Sequence, residues 1–514
     1  MMIKRRCAVT AVQLASVTGI IGENYVAASL EDEEENSHMA AQHVEVVART
    51  ELQRMDPLML FAGPTDYLHL SPNGRHLAVM SYGDHGDELY HDGAMIGGFR
   101  GITGDTIRLS DDGQTLAFSA ATTDEDVAGK YAHRRIIWDG TAGPAFGSIN
   151  YLTMTRDGRH IAYEGRVVEQ GTFVVVNHRR FGPYERVLTR RMGSRFHFSP
   201  DGTTVAYAVK ALDGWEGVKV NGFRTNLATM PMWDSTGEHQ ASVHKNAAEG
   251  FDIVVNGEVM YTEIDERPEL IAFGRDGRLA WLERSTGNRE RLHFGETTGP
   301  WFSRESGAAI RQIEVVGDGR RVVYIGYDSE SARWQFMDNH ARVMEFDSPG
   351  PYGRNVAVSD KGNAYVVVVE REGDYFAIAN RRVSELPGRS YELAVSDAGR
   401  RWAVLCVAER GDGREIITDR SQYQVATGAY GMTFSPCGEH LAYLEVVANE
   451  RRAVRAAVDG VTMEETLSHM VPIEEPRLTF LDSNRFMYFE FVWPEGASDN
   501  GERGVIYRTE IQFE

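Results

Sequence analysis

Phe196 to Lys210 reads FHFSPDGTTVAYAVK. Phe196 and Phe198 fall on one face of an extended strand and His197 on the other, because strand side chains alternate. Ser199-Pro200-Asp201-Gly202 then reverses the chain. Proline presets φ, the aspartate carboxylate caps the turn, and glycine takes the left-handed position. Thr204 to Val209 returns as the partner strand, with the small Ala206 between Val205 and Tyr207.

The same sentence recurs from about residue 60 to the end. Copies begin at Leu68 (LHLSPNGRHLAVM), Ile107 (IRLSDDGQTLAFSA), Leu152 (LTMTRDGRHIAYEG) and Ile271 (IAFGRDGRLAWLER). Others begin at Ile313, Val356, Leu393, Met432 and Leu478, and a worn one begins at Met230. Together with the first they make eleven, their turn glycines running from Gly74 to Gly438 at gaps of 35 to 45 residues. A second hairpin follows each copy, as in DIVVNGEVMYTEI from Asp252 or GVKVNGFRTNL from Gly217. Two hairpins per repeat give four strands, and a period near 40 with two-residue alternation marks a propeller blade and excludes a helical solenoid. The expected fold is all-β, a β-propeller of about eleven four-stranded blades in residues 58–514, arranged in one large ring or two tandem rings. The last copy ends one strand short, and Leu58 to Gly63 (LMLFAG) is the expected closing strand. Its pairing would remove both open sheet edges. The central alanines (Ala78, Ala117, Ala162, Ala206, Ala280, Ala403, Ala442) are expected where another sheet packs closely.

The S-P-D-G turn, the aliphatic-Ala-aromatic triplet and the V-V-N-G hairpin (Val254 to Gly257) resemble TolB-type, WD-repeat-like propeller repeats. The resemblance covers residues 60 to 514, without the Gly-His and Trp-Asp signatures of the eukaryotic WD repeat. It implies a propeller. It leaves function open, since such repeats serve scaffolds, export-associated periplasmic proteins and enzyme side domains, polysaccharide lyases among them.

Lys4, Arg5 and Arg6, the uncharged Ala8 to Gly22 and the small Val26-Ala27-Ala28 together read as a signal peptide over residues 1–28. A periplasmic or secreted location follows, with the cytoplasm as the alternative. Residues 29–57, opening on LEDEEENSH, read as an acidic linker. No segment is apolar enough to be an integral membrane span. With 54 Lys plus Arg against 75 Asp plus Glu, the formal net charge is −21, which argues against nucleic-acid binding.

Of three cysteines, Cys7, Cys406 and Cys437, the last two lie in neighbouring repeats. A disulfide between them would need Cα atoms within about 7 Å. No G-x-S-x-G elbow, H-E-x-x-H helix, phosphate loop or D-x-D-x-D-G calcium loop occurs, so no catalytic group, cofactor or metal is expected. Asp112, Asp157, Asp201, Asp276 and Asp318 read as turn caps. His76, His160, His239 and His440 hold nearly the same place in four repeats, one per blade, too far apart to share a metal.

Binding candidates are the polar residues at mid-strand on the first strand of a blade, His69, Arg108 and His197. That strand borders the channel of a propeller. Arg190, Arg191 and Arg195 in the loop Leu188 to Arg195 are the candidates on a rim. Three Gly-Pro-aromatic trios, at Gly182, Gly299 and Gly350, read as bends with an aromatic lid. The function expected is a non-catalytic scaffold that binds a protein or peptide through rim loops or the central channel. The alternative is a propeller enzyme or carbohydrate-binding protein, such as one with polysaccharide lyase-like activity, using a polar channel site.

Overall fold

In several repeats the second strand carries an aromatic residue on one face and alanine on the other, and this asymmetry shapes the core there. Tyr163, Tyr207, Trp281 and Tyr443 are buried, as are Ala117, Ala162, Ala241 and Ala403. Each aromatic packs back onto the alanine of the preceding four strands: Tyr163 with Ala117, Tyr207 with Ala162, Trp281 with Ala241 and Tyr443 with Ala403. A large side chain facing a small one lets two twisted sheets interdigitate at interior packing density.

The computed structural model describes residues 43–55, 67–83, 86–121, 133–188, 196–285, 287–304, 309–316, 319–348, 356–359, 361, 364–408, 414–425, 427–447, 453–468, 478–492 and 504–514. All lie within the unit Ala40–Glu514. They form an all-β, propeller-like repeat fold of small antiparallel sheets, nine in number among the described residues. Four have four strands in chain order, for example Met232–Trp233, Gln240–Lys245, Phe251–Val255 and Glu258–Ile264. Four sheets are longer, two by one short extra strand and two because neighbouring sets join. Ala94–Leu109 is long enough to end one set of four strands and begin the next. Arg179–Val187 pairs with Val205–Ala211, joining two sets edge to edge.

Eleven hydrophobic clusters lie among the described residues, and each draws on two sets of strands. One set is assembled from distant parts of the chain: Thr479–Phe480, Arg485–Val492, Gly504–Phe513 and Val44–Met55. It shares one cluster with the set before it, through Ala442, Phe486 and Phe513. It shares another with the set that begins at Leu68, through Leu77, Val79, Phe489 and Ile506.

The strand completing that set is therefore Val44–Met55, running antiparallel to Gly504–Phe513 from Val44 opposite Phe513 to Met55 opposite Gly504. It lies upstream of the expected closing segment Leu58 to Gly63, which falls outside the described residues, and within the stretch read as an acidic linker. Val44 and Leu52 are buried while Glu45, Arg49 and Glu51 are not, the alternation of an outer strand with one wet face.

The turns hold the chemistry expected of them. Ser199 Oγ donates to Asp201 Oδ1 at 2.5 Å and accepts Thr204 N–H at 2.9 Å, while Asp201 also accepts Thr203 N–H at 3.1 Å. The Ser199 hydroxyl, ahead of the other donors, holds the Asp201 carboxyl below the usual range, and Ser110 does the same for Asp112. Asp318 lies outside the described residues. The later hairpin of most sets turns on an Asx residue with positive φ. Asn221 (φ 48°) accepts Val205 N–H on Oδ1 at 2.9 Å and returns its own N–H to Val205 O at 2.9 Å. Asp92, Asn177, Asn256, Asn339 and Asp459 make the same reciprocal pair.

The recurrent histidines tie these turns together. His76 Nδ1 lies 2.6 Å from Asp92 Oδ2, His440 Nδ1 lies 2.7 Å from Asp459 Oδ2, and Asn177 Nδ2 lies 2.8 Å from His160 Nδ1. His239 turns instead to Asp234, at 2.7 Å. Three of the rings press on the turn glycine of the next repeat. A Cβ on Gly113, Gly202 or Gly277 would come within 2.2 Å of His76, 2.0 Å of His160 or 2.3 Å of His239. Cys406 is buried, Cys437 is exposed, and both are free thiols.

Candidate functional site

His69, Arg108 and His197 occupy one register position in three different sets of strands. Each stands opposite the central alanine of the second strand: His69 across from Ala78, Arg108 from Ala117 and His197 from Ala206. All three are half-buried. The Arg108 guanidinium is folded onto its own backbone, Nη1 donating to Asp105 O at 2.8 Å and Ile107 O at 2.7 Å. The same position is held elsewhere by Thr153, Ala272, Glu314, Ala394 and Thr433, each paired across the hairpin with the second strand. Glu314 is exposed and escaped the sequence reading. Superimposing the repeats position by position would have placed it beside the three basic residues.

Arg190, Arg191 and Arg195 lie outside the described residues. Leu188, the last described residue before them, lines a cleft of about 590 Å³. Leu188, Ala208, Leu227, Ala228 and Phe251 give it apolar walls, and Glu216, Lys245, Glu266, Arg267 and Arg284 give it charge. These residues come from three successive sets of strands. Ala208 sits on Val205–Ala211, Lys245 and Phe251 flank the hairpin between Gln240–Lys245 and Phe251–Val255, and Arg284 lies on Leu279–Ser285.

The charges divide into two kinds. Arg284 is committed: it pairs with Glu269, and its Nε lies 3.1 Å from Glu290 Oε1. Buried Glu290 is itself held by Arg304 at 3.2 Å and by Ala309 N–H at 3.1 Å. Among the described residues, Glu216, Lys245, Glu266 and Arg267 make no ion pair. Two acids and two bases, uncommitted, face a cleft with an apolar floor. Such an arrangement can accept a peptide of mixed charge; it contains no nucleophile paired to a base. Sequence reasoning missed this cleft because its charged residues stand at or near strand ends and in the connection at Glu266 and Arg267, on different sets of strands, so they share no motif.

The aromatic trios divide similarly. Tyr184 is buried, its hydroxyl 3.2 Å from that of Tyr207. Trp301 is stacked by Arg291 at 4.4 Å and Arg289 at 5.4 Å from its ring centre. Tyr352 lies outside the described residues. No helix among the described residues is long and apolar enough to cross a membrane.

No protein-family model matches the chain, and no curated protein matches it. Among solved structures it is similar to the crystal structure of a eukaryotic initiation factor, at 13% identity and a TM-score of 0.35, over 65% of this chain and 93% of that one. It is also similar to the crystal structure of TolB from Acinetobacter baumannii, at 13% identity and a TM-score of 0.25, over 53% of this chain and 80% of that one. At these scores neither likeness bears on function.

Proposed function

We propose that the protein is a non-catalytic β-propeller scaffold, its eleven blades closed in a single ring, that binds a protein or peptide segment of mixed charge in the rim cleft around Phe251. The single ring is supported by the shared clusters: every set of strands packs on its successor, and the last packs on the first. The binding reading rests on one observation, the four uncommitted charges Glu216, Lys245, Glu266 and Arg267 around an apolar floor. At Glu290 and Asp338, by contrast, buried carboxylates are paired with arginines. Unpaired charge of both signs costs little in water and can be matched by a partner, which gives specificity and speeds encounter.

A photo-crosslinking residue at Ala228, compared with one at the exposed Phe223, tests the reading in extracts of the producing cell. A single crosslinked species at Ala228 that is lost in the Lys245→Glu, Arg267→Glu variant is the expected result. Labelling that ignores the charge reversal, or turnover of polysaccharides by the purified protein, would overturn it.

A further inference from the structure

The residue just before the Asx turn is apolar in most repeats: Val176 before Asn177, Val220 before Asn221, Val255 before Asn256 and Val458 before Asp459. In the first repeat it is His91, before Asp92. A histidine there joins a turn that already holds the His76–Asp92 pair, so two imidazoles and one carboxylate meet. Their ligand atoms all lie within 4.8 Å of one another. His76 Nδ1 stands 2.6 Å from Asp92 Oδ2, and His91 Nε2 stands 3.7 Å from the same oxygen. The ring centres are 6.0 Å apart.

His91 Nε2 is buried and has no hydrogen-bond partner. A ring nitrogen withdrawn from water without a partner is unfavourable, so the arrangement asks for a ligand. Asp92 Oδ1 is taken by Leu77 N–H at 2.9 Å, which fixes the carboxylate and leaves Oδ2 turned to the two rings. On the other side Gly113 of the next repeat lies against His76, where even a methyl group would come within 2.2 Å of the ring. The three side chains are therefore positioned from both sides.

We propose that His76, His91 and Asp92 bind a divalent cation of the zinc class. Zinc takes imidazole nitrogen and carboxylate oxygen at about 2.0–2.2 Å, which sets tetrahedral ligand atoms roughly 3.3 Å apart. The observed 2.6 and 3.7 Å bracket that spacing, and the two ring nitrogens lie within 4.8 Å of each other, so side-chain movements alone would bring the three atoms onto one ion. Two neutral nitrogens and one carboxylate suit zinc over calcium or magnesium, which prefer oxygen. The position gives the cation a role. Gly93, next to Asp92, faces the strand Val44–Met55, and a Cβ on it would lie 2.8 Å from Leu52 O. A cation would stiffen the turn of the first repeat where that strand passes.

The test is titration of the purified full chain with zinc chloride by calorimetry, and with cobalt(II) chloride by visible absorption. His91→Val places the residue of other repeats at this position, and Asp92→Asn places their turn residue. Wild type should bind zinc at one site and give the absorption of cobalt held by nitrogen ligands. Each variant should bind at least about tenfold more weakly while keeping the circular dichroism of the metal-free wild type. Zinc should raise the melting temperature of wild type and not of His91→Val. The proposal fails if wild type takes up no zinc, or if His91→Val titrates as wild type does.

Discussion

Arg49 Nε donates to Glu490 Oε1 across 441 positions of chain, so the strand Val44–Met55 is fastened beyond its direct partner Gly504–Phe513 to the strand after that. Glu490 is fully buried and also accepts the Thr509 hydroxyl at 2.6 Å. The carboxylate, ahead of every other influence, raises the Arg49 guanidinium above its already high range. Arg49→Ala removes the guanidinium from that buried carboxylate. The expected loss is about 3 kcal/mol, the lower end for breaking a buried pair because Arg49 is partly exposed. Urea unfolding followed by tryptophan fluorescence measures it. The double variant Arg49→Met, Glu490→Leu should lose less than the two single changes added together.

Gly202 and His160 form a second testable pair. Gly202 has φ of +68°, and any Cβ there would overlap the His160 ring. Gly202→Ala should therefore destabilise by about 2 kcal/mol or more, from left-handed strain plus the overlap. In a His160→Ala background the same change should cost roughly half as much, because only the strain remains. A thermal-melt double-mutant cycle reads the difference, and equal costs in both backgrounds would show the overlap to be irrelevant.

The Asx turns predict a choice between two substitutions. Asn221→Ala removes an acceptor for Val205 N–H and puts alanine at φ 48°, an expected loss of about 2 kcal/mol. Asn221→Asp should stay within about 0.5 kcal/mol of wild type, since Asp92 and Asp459 do the same work in their repeats. Denaturant midpoints for the two variants settle the ordering.

Glu392 supplies a pH dependence. Burial, opposed by backbone N–H donors from Met432 (2.7 Å) and Gly431, raises its carboxyl to about 7 from 4.5. The folded protein therefore holds a proton there between pH 4.5 and 7 that the unfolded chain has released. Stability from this group is fully present at and below pH 4.5 and is lost as pH rises from there through 7, by at most about 3 kcal/mol. Glu392→Gln should flatten that slope, seen as urea midpoints at pH 5 and pH 7.5 that differ less than those of wild type.

The repeat was legible because its physics is local. A turn that needs glycine at positive φ and strands that alternate every second residue leave marks in ten consecutive letters, as Ser199 to Tyr207 show. The pairing of Tyr207 with Ala162, and of His160 with Gly202, crosses from one repeat to the next, yet near-equal spacing put such partners in several copies. Val44–Met55 was hidden for the opposite reason. It stands outside the repeat, its wet face carries Glu45, Arg49 and Glu51, and the acidic run before it dominates its composition. The cleft around Phe251 was hidden because its charges, Glu216, Lys245, Glu266, Arg267 and Arg284, come from different sets of strands and make no shared motif. His91 could be found only as an exception, a histidine where most of its counterparts are apolar, four of them valine.

The strand Val44–Met55 is made early and answered late. It emerges from the ribosome before any of its partners, and Gly504–Phe513 follows about 450 residues later. At ordinary elongation speeds of about 5–20 residues per second, that delay is roughly half a minute to a minute and a half. Throughout it an amphipathic strand with an unsatisfied edge trails from the nascent chain while blade after blade folds beside it. A holdase that shields this segment, or a synonymous-codon change that alters the delay, would act on the yield of folded protein without touching its final stability.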